Sequence, residues 1–478
     1  MAGVAAPARA SAVPARSILV RVIKSSRVLN LLRPDGGGRG SEYAASGRSQ
    51  LINQIDLYIS LIDTHATERQ EANVSDELND DAEKKVPNLQ GGSNQARVRD
   101  HNERLVLTLI RRHGALSRAE IARQTGLSAQ TVTVIIRALE ADGFLLRGTP
   151  VKGRVGQPSI PMRLDPDAAH SFGLKVGRRS AELVLMNFCG DVIDHLRQPY
   201  KFPRTGDILD FAQTGIRKLT GRIPKARRDR IAGVGIAIPY ELWNWGLQVG
   251  ADATEMDAWR RFDIAAEIGA AAGLPAQVQN DATSACVAEH ALGRGSEVDN
   301  FFYVFVGFFV GGGVVLNNSV LDGPGGNAGA LGALPVPARS GAGAEPLIDA
   351  ASILGLEQRL RAEGRDPSVL WDGSDNWSDL GSVVDDWIAE VAESLATAAV
   401  AICAVVDFGT IVIDGGFPDD IREKLAVATS AASERRDRQG LSPVRFVTGS
   451  IGPSAPAMGG AILPIVARHF ISQTAIYH

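Results

Sequence analysis

The hydrophobic positions of residues 97–165 predict three short helices. Leu105, Leu109 and Ile110 repeat with helical period, as do Ile121 with Ala122, and Val132 with Ile135, Ile136 and Leu139. Ser117 followed by Glu120 forms a capping box that opens the second helix, and Gly126 ends that helix. Ser128 is placed to cap the third helix.

Two strands are predicted after the third helix, which should stop at Asp142-Gly143. The strands cover residues 144–147 and 160–164, and Gly153, Gly156 and Pro158 turn the chain between them. Three helices followed by a basic hairpin are typical of a winged helix-turn-helix. Pro166 marks the boundary to the next domain.

From residue 172 onward, short apolar strands alternate with helices. The predicted strands are residues 183–186, 231–238, 302–305, 313–316 and 409–414, and the predicted helices are residues 208–219, 264–272 and 383–405. A glycine-rich turn is expected between the third and fourth of these strands, and Gly459-Gly460 is expected to open a last helix. This alternation over some 300 residues predicts an α/β body in two lobes.

Charge separates the two parts. The 478-residue chain carries a net charge of −4, yet residues 97–163 hold twelve Lys/Arg against five Asp/Glu, a balance of +7. The remaining residues therefore sum to −11. A basic module on an acidic body favours nucleic-acid binding by the module alone.

Composition also indicates the cellular compartment and the state of residues 1–96. The three cysteines are too widely spaced for a metal motif or a disulfide framework, and no uninterrupted apolar run reaches the ~18 residues of a membrane helix, so we expect a cytoplasmic protein. Residues 1–96 mix Gly, Pro, Ser and charged stretches around one apolar patch, which predicts a mostly disordered N-terminal tail.

The third helix and the hairpin supply the candidate DNA contacts. Short polar side chains at the helix start can approach base edges, whereas cations position the protein on phosphates. The candidates are Ser128, Ala129, Gln130, Thr131 and Thr133 for bases, Arg118, Arg123 and Arg137 for phosphates, and Lys152, Arg154 and Gln157 on the wing. The alternative is a three-helix bundle used for protein contacts.

Residues 97–478 resemble the regulator branch of the ROK family (repressors, open reading frames and sugar kinases), which includes xylose and N-acetylglucosamine repressors. The resemblance rests on residues 233–239, 279–282, 311–313 and 412–416, with Gly323 and Gly326. It implies a two-lobed actin-like (ribonuclease-H-like) ATPase fold with a sugar bound in the cleft. Residues 97–165 would then form the DNA-binding domain and 166–478 the body. We expect one lobe from about 166 to 276 plus the C-terminal helix, and the other from about 277 to 455.

The same resemblance indicates lost kinase chemistry. Asp281 matches the family's catalytic base, but the first phosphate loop, an Asp-x-Gly-Gly-Thr-like run in the kinases, reads as residues 175–179, Lys-Val-Gly-Arg-Arg. The second phosphate loop, usually Gly-Thr-Gly, is Gly307-Phe308-Phe309. Bulky side chains replace the small residues that should face a nucleotide. We therefore expect no enzyme activity and no cofactor; a sugar kinase with Asp281 as base is the alternative.

The family's sugar and zinc residues are also replaced. The Gly-Glu-x-Gly-His run corresponds to residues 329–333, where Ala330 and Ala333 stand for the glutamate and histidine. The family's zinc-binding cysteine cluster corresponds to residues 337–349, which contain no cysteine, so we expect no metal site. The glutamate after that cluster has no clean match; Ile348 occupies its place, with Asp349 next.

Two readings of the cleft stay open. In one, Asn280, Asp281, Pro239 and Gly329 hold a less hydroxylated effector, a sugar or sugar derivative, with Trp243, Trp245 or Trp259 as stacking surfaces. In the other the cleft is empty and the body only dimerises the heads. Asn280-Asp281 would then be a helix start, residues 311–313 a tight strand connection, and the tryptophans core residues. Either way we expect a homodimer or tetramer on a two-fold DNA operator.

Overall fold

The computed structural model describes residues 92–150, 159–246, 250–251, 253–373 and 376–471, with side chains from residue 97 onward and none given for residues 253 and 254. The predicted tail up to residue 91 lies outside this part, as do the predicted wing contacts Lys152, Arg154 and Gln157.

The N-terminal head contains three helices and a three-stranded sheet. Its elements are α1 (Gly92–His113), β1 (Ala115–Leu116), α2 (Arg118–Thr125), α3 (Ala129–Ala141), β2 (Leu145–Arg147) and β3 (Met162–Leu164). The strand order is β1-β3-β2, antiparallel throughout. The head thus has the predicted winged-helix arrangement. Helix α1 begins at Gly92, so residues 92–96, which were assigned to the mostly disordered tail, are helical.

The predicted helix caps of the head are confirmed. Ser117 accepts a hydrogen bond from the backbone of Glu120, whose carboxylate in turn accepts one from the Ser117 backbone. Gly126 ends α2 with a φ of 71°, and Ser128 caps α3. One detail was wrong: α1 buries Val106, Leu107 and Ile110, whereas Leu105 and Leu109 are only partly buried. Because residues 105–110 are mostly apolar, either of two neighbouring helix faces could be buried. Packing against α2 and α3 buries the face that carries Val106, Leu107 and Ile110.

The first lobe is built on a five-stranded sheet of order β6-β5-β4-β7-β8. Strands β4, β7 and β8 are parallel, and the β4-β5-β6 meander is antiparallel. Its elements are β4 (His170–Val176), β5 (Ser180–Asn187), β6 (Val192–Pro199), α4 (Thr205–Thr220), β7 (Ile231–Ile238), α5 (Ala253–Asp257), α6 (Ile264–Ala272) and β8 (Ala276–Asn280). Because β8 pairs with β7, this sheet runs four residues past the approximate boundary at 276.

The second lobe is also built on a five-stranded sheet, of order β11-β10-β9-β14-β15. Between the two sheets runs α7 (Asp281–Leu292). The second lobe contains β9 (Phe301–Val306), β10 (Val310–Leu316), β11 (Ser319–Leu321), the hairpin β12 (Pro335–Pro337) and β13 (Ala344–Pro346), α8 (Leu347–Ala350), α9 (Ile353–Ala362), α10 (Ser382–Val405), β14 (Thr410–Gly415), α11 (Asp419–Glu434) and β15 (Arg445–Thr448). The chain then returns to the first lobe as α12 (Ala455–His469).

Two glycine runs lie elsewhere than predicted. Residues 311–313 are inside β10, and the reversal before them is at residues 307–309. A Cβ on Gly313 would overlap the Cys286 side chain of α7, so glycine lets helix and strand approach closely. Gly459 and Gly460 lie inside α12 rather than at its start, for the same reason: α12 packs tightly against α7 and β7.

Helix α10 is long and apolar enough to cross a membrane by length and composition. It packs instead as the central helix of the second lobe, where Val391, Leu395 and Ala396 are almost fully buried. Its exposed side carries Asp385, which pairs with Lys424 of α11. These contacts are those of a core helix.

Candidate functional site

The exposed face of α3 presents Gln130, Val134 and Arg137. These positions are spaced four and three residues apart and so share one side of the helix. Val132 and Ile136, on the other side, are fully buried. The sequence prediction omitted Val134, which is 58% exposed although apolar. An exposed valine on this face has the shape and polarity to contact a thymine methyl group.

The other predicted base contacts are partly committed to the helix itself. The hydroxyls of Ser128 and Thr131 are hydrogen-bonded to each other at 2.8 Å. The Thr133 hydroxyl donates to the carbonyl of Ala129. The guanidinium of Arg118 lies 3.7 Å from the Glu140 carboxylate, which also pairs with Arg147. Gln130, Arg137 and the predicted phosphate contact Arg123 are exposed.

The head is joined to the body through α1. Arg111 donates to the carbonyl of Ala291 at the end of α7 and lies 4.8 Å above the Phe470 ring. Arg104 reaches the carbonyl of Ala467 in α12. In return, the backbone N–H of Ile471 donates to the hydroxyl of Thr108.

An aromatic cluster fills the same junction. Phe144 of the head, Phe188 of the first lobe and His469 of α12 have ring centroids 5.1–5.6 Å apart, and Phe470 stacks on Phe188 at 5.2 Å. Burial lowers the pKa of His469 to about 4, helped by nearby arginines. The cluster belongs to the same hydrophobic core as the three head helices. Head and body are therefore packed as one unit at this point.

A cleft of about 1060 Å³ lies between the two lobes. All four residues predicted to hold an effector line it: Pro239, Asn280, Asp281 and Gly329. Both altered phosphate loops, at residues 175–179 and 307–309, contribute to its walls. The residues singled out from four separate motifs thus meet at one site.

Asn280 and Asp281 stand at the start of α7. The Asn280 side-chain oxygen accepts hydrogen bonds from the backbones of Ala282 and Thr283, so Asn280 acts as the helix N-cap. Burial raises the pKa of Asp281, while the charges of Arg178 and Lys175 oppose this shift. The pair therefore forms the start of a helix, as one of the two alternatives from the sequence states, and both residues also line the cleft.

The two altered phosphate loops meet across the cleft. Arg178, in the β4–β5 turn, is 5% exposed. Its guanidinium carbon lies 3.4 Å from the Trp245 ring centroid and 4.0 Å from that of Phe309 in the β9–β10 turn. Phe308 lies 5.4 Å from the same carbon. Large side chains therefore fill the space between the loops.

Glu357 of α9 anchors the same region. Its buried carboxylate accepts from Arg179 at 3.0 Å and from the indole N–H of Trp371 at 2.8 Å, and it pairs with Arg361. Arg179 thus ties the first lobe to the second. This network fixes the loop on which Arg178 stands.

Ala330 and Ala333, which stand in place of the sugar-holding glutamate and histidine that the resemblance implies, line the cleft wall. In the β12–β13 hairpin, Arg339 donates to the carbonyl of Ala350 at 2.6 Å and lies near Glu390. Within the described ranges, no three His, Cys, Asp or Glu side chains are grouped to hold a metal ion. Arg339 links the hairpin to the lobe.

The three tryptophans considered as stacking surfaces have different surroundings. Trp245 lines the main cleft under Arg178. Trp259 is 4% exposed in the first-lobe core and donates to the carbonyl of Pro203. Trp243 lines a smaller neighbouring cavity with Arg260 near its ring. Of these three, only Trp245 faces the large cleft.

Helices α7 and α12 connect the cleft to the head. Asp281 at the start of α7 and Ser454 just before α12 line the cleft, and Ser454 donates to Glu182 of β5. The opposite ends, at Ala291 and Ala467, accept hydrogen bonds from α1. At 1.5 Å per residue, these helices span about 18 and 22 Å. Both therefore run from the cleft to the helix-turn-helix.

Comparison with known proteins identifies both parts. Residues 171–466 match the model of the ROK family, which is more than half of the chain. The chain belongs to the ROK family. Residues 99–145 of this ROK protein match a winged helix-turn-helix DNA-binding model. The predicted family and domain order are thereby confirmed.

Named relatives extend the comparison. The ROK protein is 22% identical to the uncharacterized protein y4fQ of Sinorhizobium fredii, over 78% of this chain and 93% of that protein. It is 23% identical to the xylose repressor of Caldicellulosiruptor bescii, over 50% of this chain and 59% of the repressor. Among solved structures, it resembles a ROK family transcriptional regulator, a homolog of the E. coli MLC protein, with a TM-score of 0.56 and 21% identity over 78% of this chain and 97% of that chain. That likeness confirms the predicted two-lobed fold.

Proposed function

We propose that this protein is a DNA-binding transcription repressor of carbohydrate-related genes, and that its two-lobed body senses a small molecule. The observation that carries the proposal is the exposed Gln130, Val134 and Arg137 face of α3, on a head docked against the ends of two cleft helices. The likeness to a xylose repressor supports the sugar-related role. One recognition helix reads only a few base pairs, so the working form is a homodimer or tetramer on a two-fold operator.

A footprinting titration on the protein's own promoter and on neighbouring sugar-transport genes tests this proposal. We expect a protected two-fold site. Arg137→Ala should weaken binding to every sequence, since a phosphate contact carries no base information. Arg261→Ala is the matched control, because Arg261 is 85% exposed on the body. Sequence-independent binding alone would contradict the proposal.

The body acts as a sensor without phosphoryl transfer. Phosphoryl transfer needs backbone cradles around the nucleotide phosphates as well as a base. Arg178, Phe308 and Phe309 occupy those loops, although Asp281 stands at the base position. We expect no turnover above background in a coupled assay over a hexose panel. Turnover that disappears in Asp281→Asn would establish the kinase instead.

The route from cleft to DNA is through α7 and α12. A ligand that changes the relation of the lobes shifts the cleft ends of both helices, and their far ends are bonded to α1. Such a ligand changes operator affinity only as far as it binds one arrangement of the lobes more tightly than another. Titrating operator binding against candidate sugars measures that coupling.

A further inference from the structure

The cleft contains a buried cation whose donors lack acceptors. Arg178 is 5% exposed, and its Nε and Nη2 atoms have no hydrogen-bond partner in the part of the chain that the structure describes. Its guanidinium contacts the rings of Trp245 and Phe309. Such rings attract a cation but do not provide the oxygen lone pairs that guanidinium N–H groups need.

Five carboxylates line the cleft, those of Glu182, Glu241, Asp281, Asp419 and Asp420. Four of them are bonded elsewhere, and Asp420 forms no ion pair with Arg178 within the described residues. Glu182 accepts from the hydroxyl of Ser454, Glu241 from Asn244, and Asp281 from the backbone N–H of Ala282. The Asp419 carboxylate pairs with Arg422. None of these hydrogen bonds involves Arg178. Its charge is balanced only at a distance, chiefly by Asp281.

A second cation stands near by. Lys175 is the penultimate residue of β4, the strand that leads into the Arg178 turn. It lines the same cleft, where its ammonium group makes a long hydrogen bond of 3.4 Å to the carbonyl of Pro453. Burial lowers the pKa of Lys175 and, more strongly, of Arg178. A buried charge without a partner destabilises the fold, and an oxyanion with two oxygens is the ligand that a guanidinium binds best.

We propose that the cleft binds an anionic small molecule, bearing a carboxylate or a phosphate, through Arg178 with Lys175 as the second cation. Sugar acids and sugar phosphates are the corresponding ligand classes. This inference rests on the proposed sensor function and adds the charge of the effector. The apolar wall at Ala330 and Ala333 suits a ligand held at its anionic end.

Arg178 is placed to make anion binding a signal. It stands on the β4–β5 turn of the first lobe, and its partner ring Phe309 stands on the β9–β10 turn of the second. The β9–β10 turn is fixed to α9 by hydrogen bonds from Ile353 and Leu354 to Gly307 and Phe308. An anion that draws the guanidinium from the rings therefore changes a contact between the lobes.

Thermal unfolding of the full chain tests the proposal with four probes: D-glucuronate, D-glucose 6-phosphate, D-glucose and inorganic phosphate, with sodium chloride at matched ionic strength. We expect saturable rises in Tm with one or both sugar anions and none with D-glucose. The fluorescence of Trp245, beside the guanidinium, should change over the same concentrations. A larger rise with D-glucuronate would identify the anionic group of the ligand as a carboxylate, and a larger rise with D-glucose 6-phosphate would identify it as a phosphate.

Arg178→Met, which keeps the long apolar stem, should lose the response, with affinity weakened roughly tenfold or more. Without anion it should still unfold in one cooperative transition, which shows that the variant is folded. Arg178→Lys keeps the charge without the two-pronged donor geometry and should weaken binding less. Arg261→Met, on an exposed arginine, should respond like the wild type.

No saturable response of the wild type to any of the three anions would overturn the proposal. So would equal responses of wild type and Arg178→Met, or a response to D-glucose equal to that for the sugar anions. Operator binding is measured separately. Operator binding without anion binding would support the proposed function and contradict the anionic effector. Anion binding without specific DNA binding would support the anion site and contradict the proposed function.

Discussion

Gly459 of α12 lies so close to Ser284 of α7 that a Cβ on Gly459 would overlap the Ser284 carbonyl oxygen. The two helices are therefore in backbone contact within their first five residues, nearer the cleft than the head. Interfaces of this density do not deform gradually, so the helices should move as a pair. This contact is the mechanical basis of the proposed coupling.

Gly459→Ala should destabilise the protein by about 1–3 kcal/mol, because the added methyl group overpacks the contact with Ser284. Chemical denaturation measures the change. Gly206→Ala is the matched control: Gly206 lies in the first turn of α4 with open space around its Cβ position. That change should be neutral or stabilise by up to about 1 kcal/mol. Equal losses in both variants would contradict the close contact.

Base preference should depend on the exposed face of α3. Gln130→Ala and Val134→Ala are each expected to change the preferred base at one position of each half-site, worth about 1–3 kcal/mol of discrimination, since both side chains face outward near the helix start. Arg154→Ala, on the predicted wing, should weaken binding to all sequences alike. Binding measured against a panel of single-base operator variants separates the two effects. Unchanged preferences in both α3 variants would mean that this face does not read DNA.

Stability should fall in mild acid through His469. Its folded-state pKa of about 4 is lower than the unfolded value of roughly 6.5, so the unfolded chain takes up the proton first as the pH falls. The contribution is complete above the unfolded pKa and is lost progressively between about pH 6.5 and 4, by at most about 1.4 kcal/mol per pH unit.

His469→Phe keeps the aromatic packing and removes the titration. Urea unfolding at pH 7.5 and pH 5 should therefore show a smaller loss in this variant than in the wild type. Subtracting the variant removes the contribution of other buried histidines such as His170, whose pKa burial also lowers. An identical pH dependence in both proteins would show that His469 is not held neutral at the junction.

Much of the fold could be predicted because its signals are local. The capping residues Ser117 and Ser128, the terminal Gly126 and the buried face of α3 follow from short-range geometry, and each is found as expected. The bounds of α6, residues 264–272, were likewise predicted to the residue. Periodicity and caps need no knowledge of tertiary contacts.

The errors concern residues whose role is set by distant parts of the chain. Gly313 and Gly459 look like turn and helix-start residues in sequence, but both are required by the approach of α7. Val134 was omitted because its exposure depends on how α3 packs. The meeting of Arg178 with Trp245 and Phe309 joins three separate segments, so no local pattern indicates it.

Selection of bound sites from a random duplex DNA pool tests the central claim most directly, because it presumes no promoter. The full chain, immobilised away from its head, should enrich a two-fold motif within a few rounds, and Gln130→Ala should enrich an altered one. Enrichment of no motif at moderate salt, by a protein whose folding is confirmed, would contradict the assignment of this chain as a sequence-specific DNA-binding regulator.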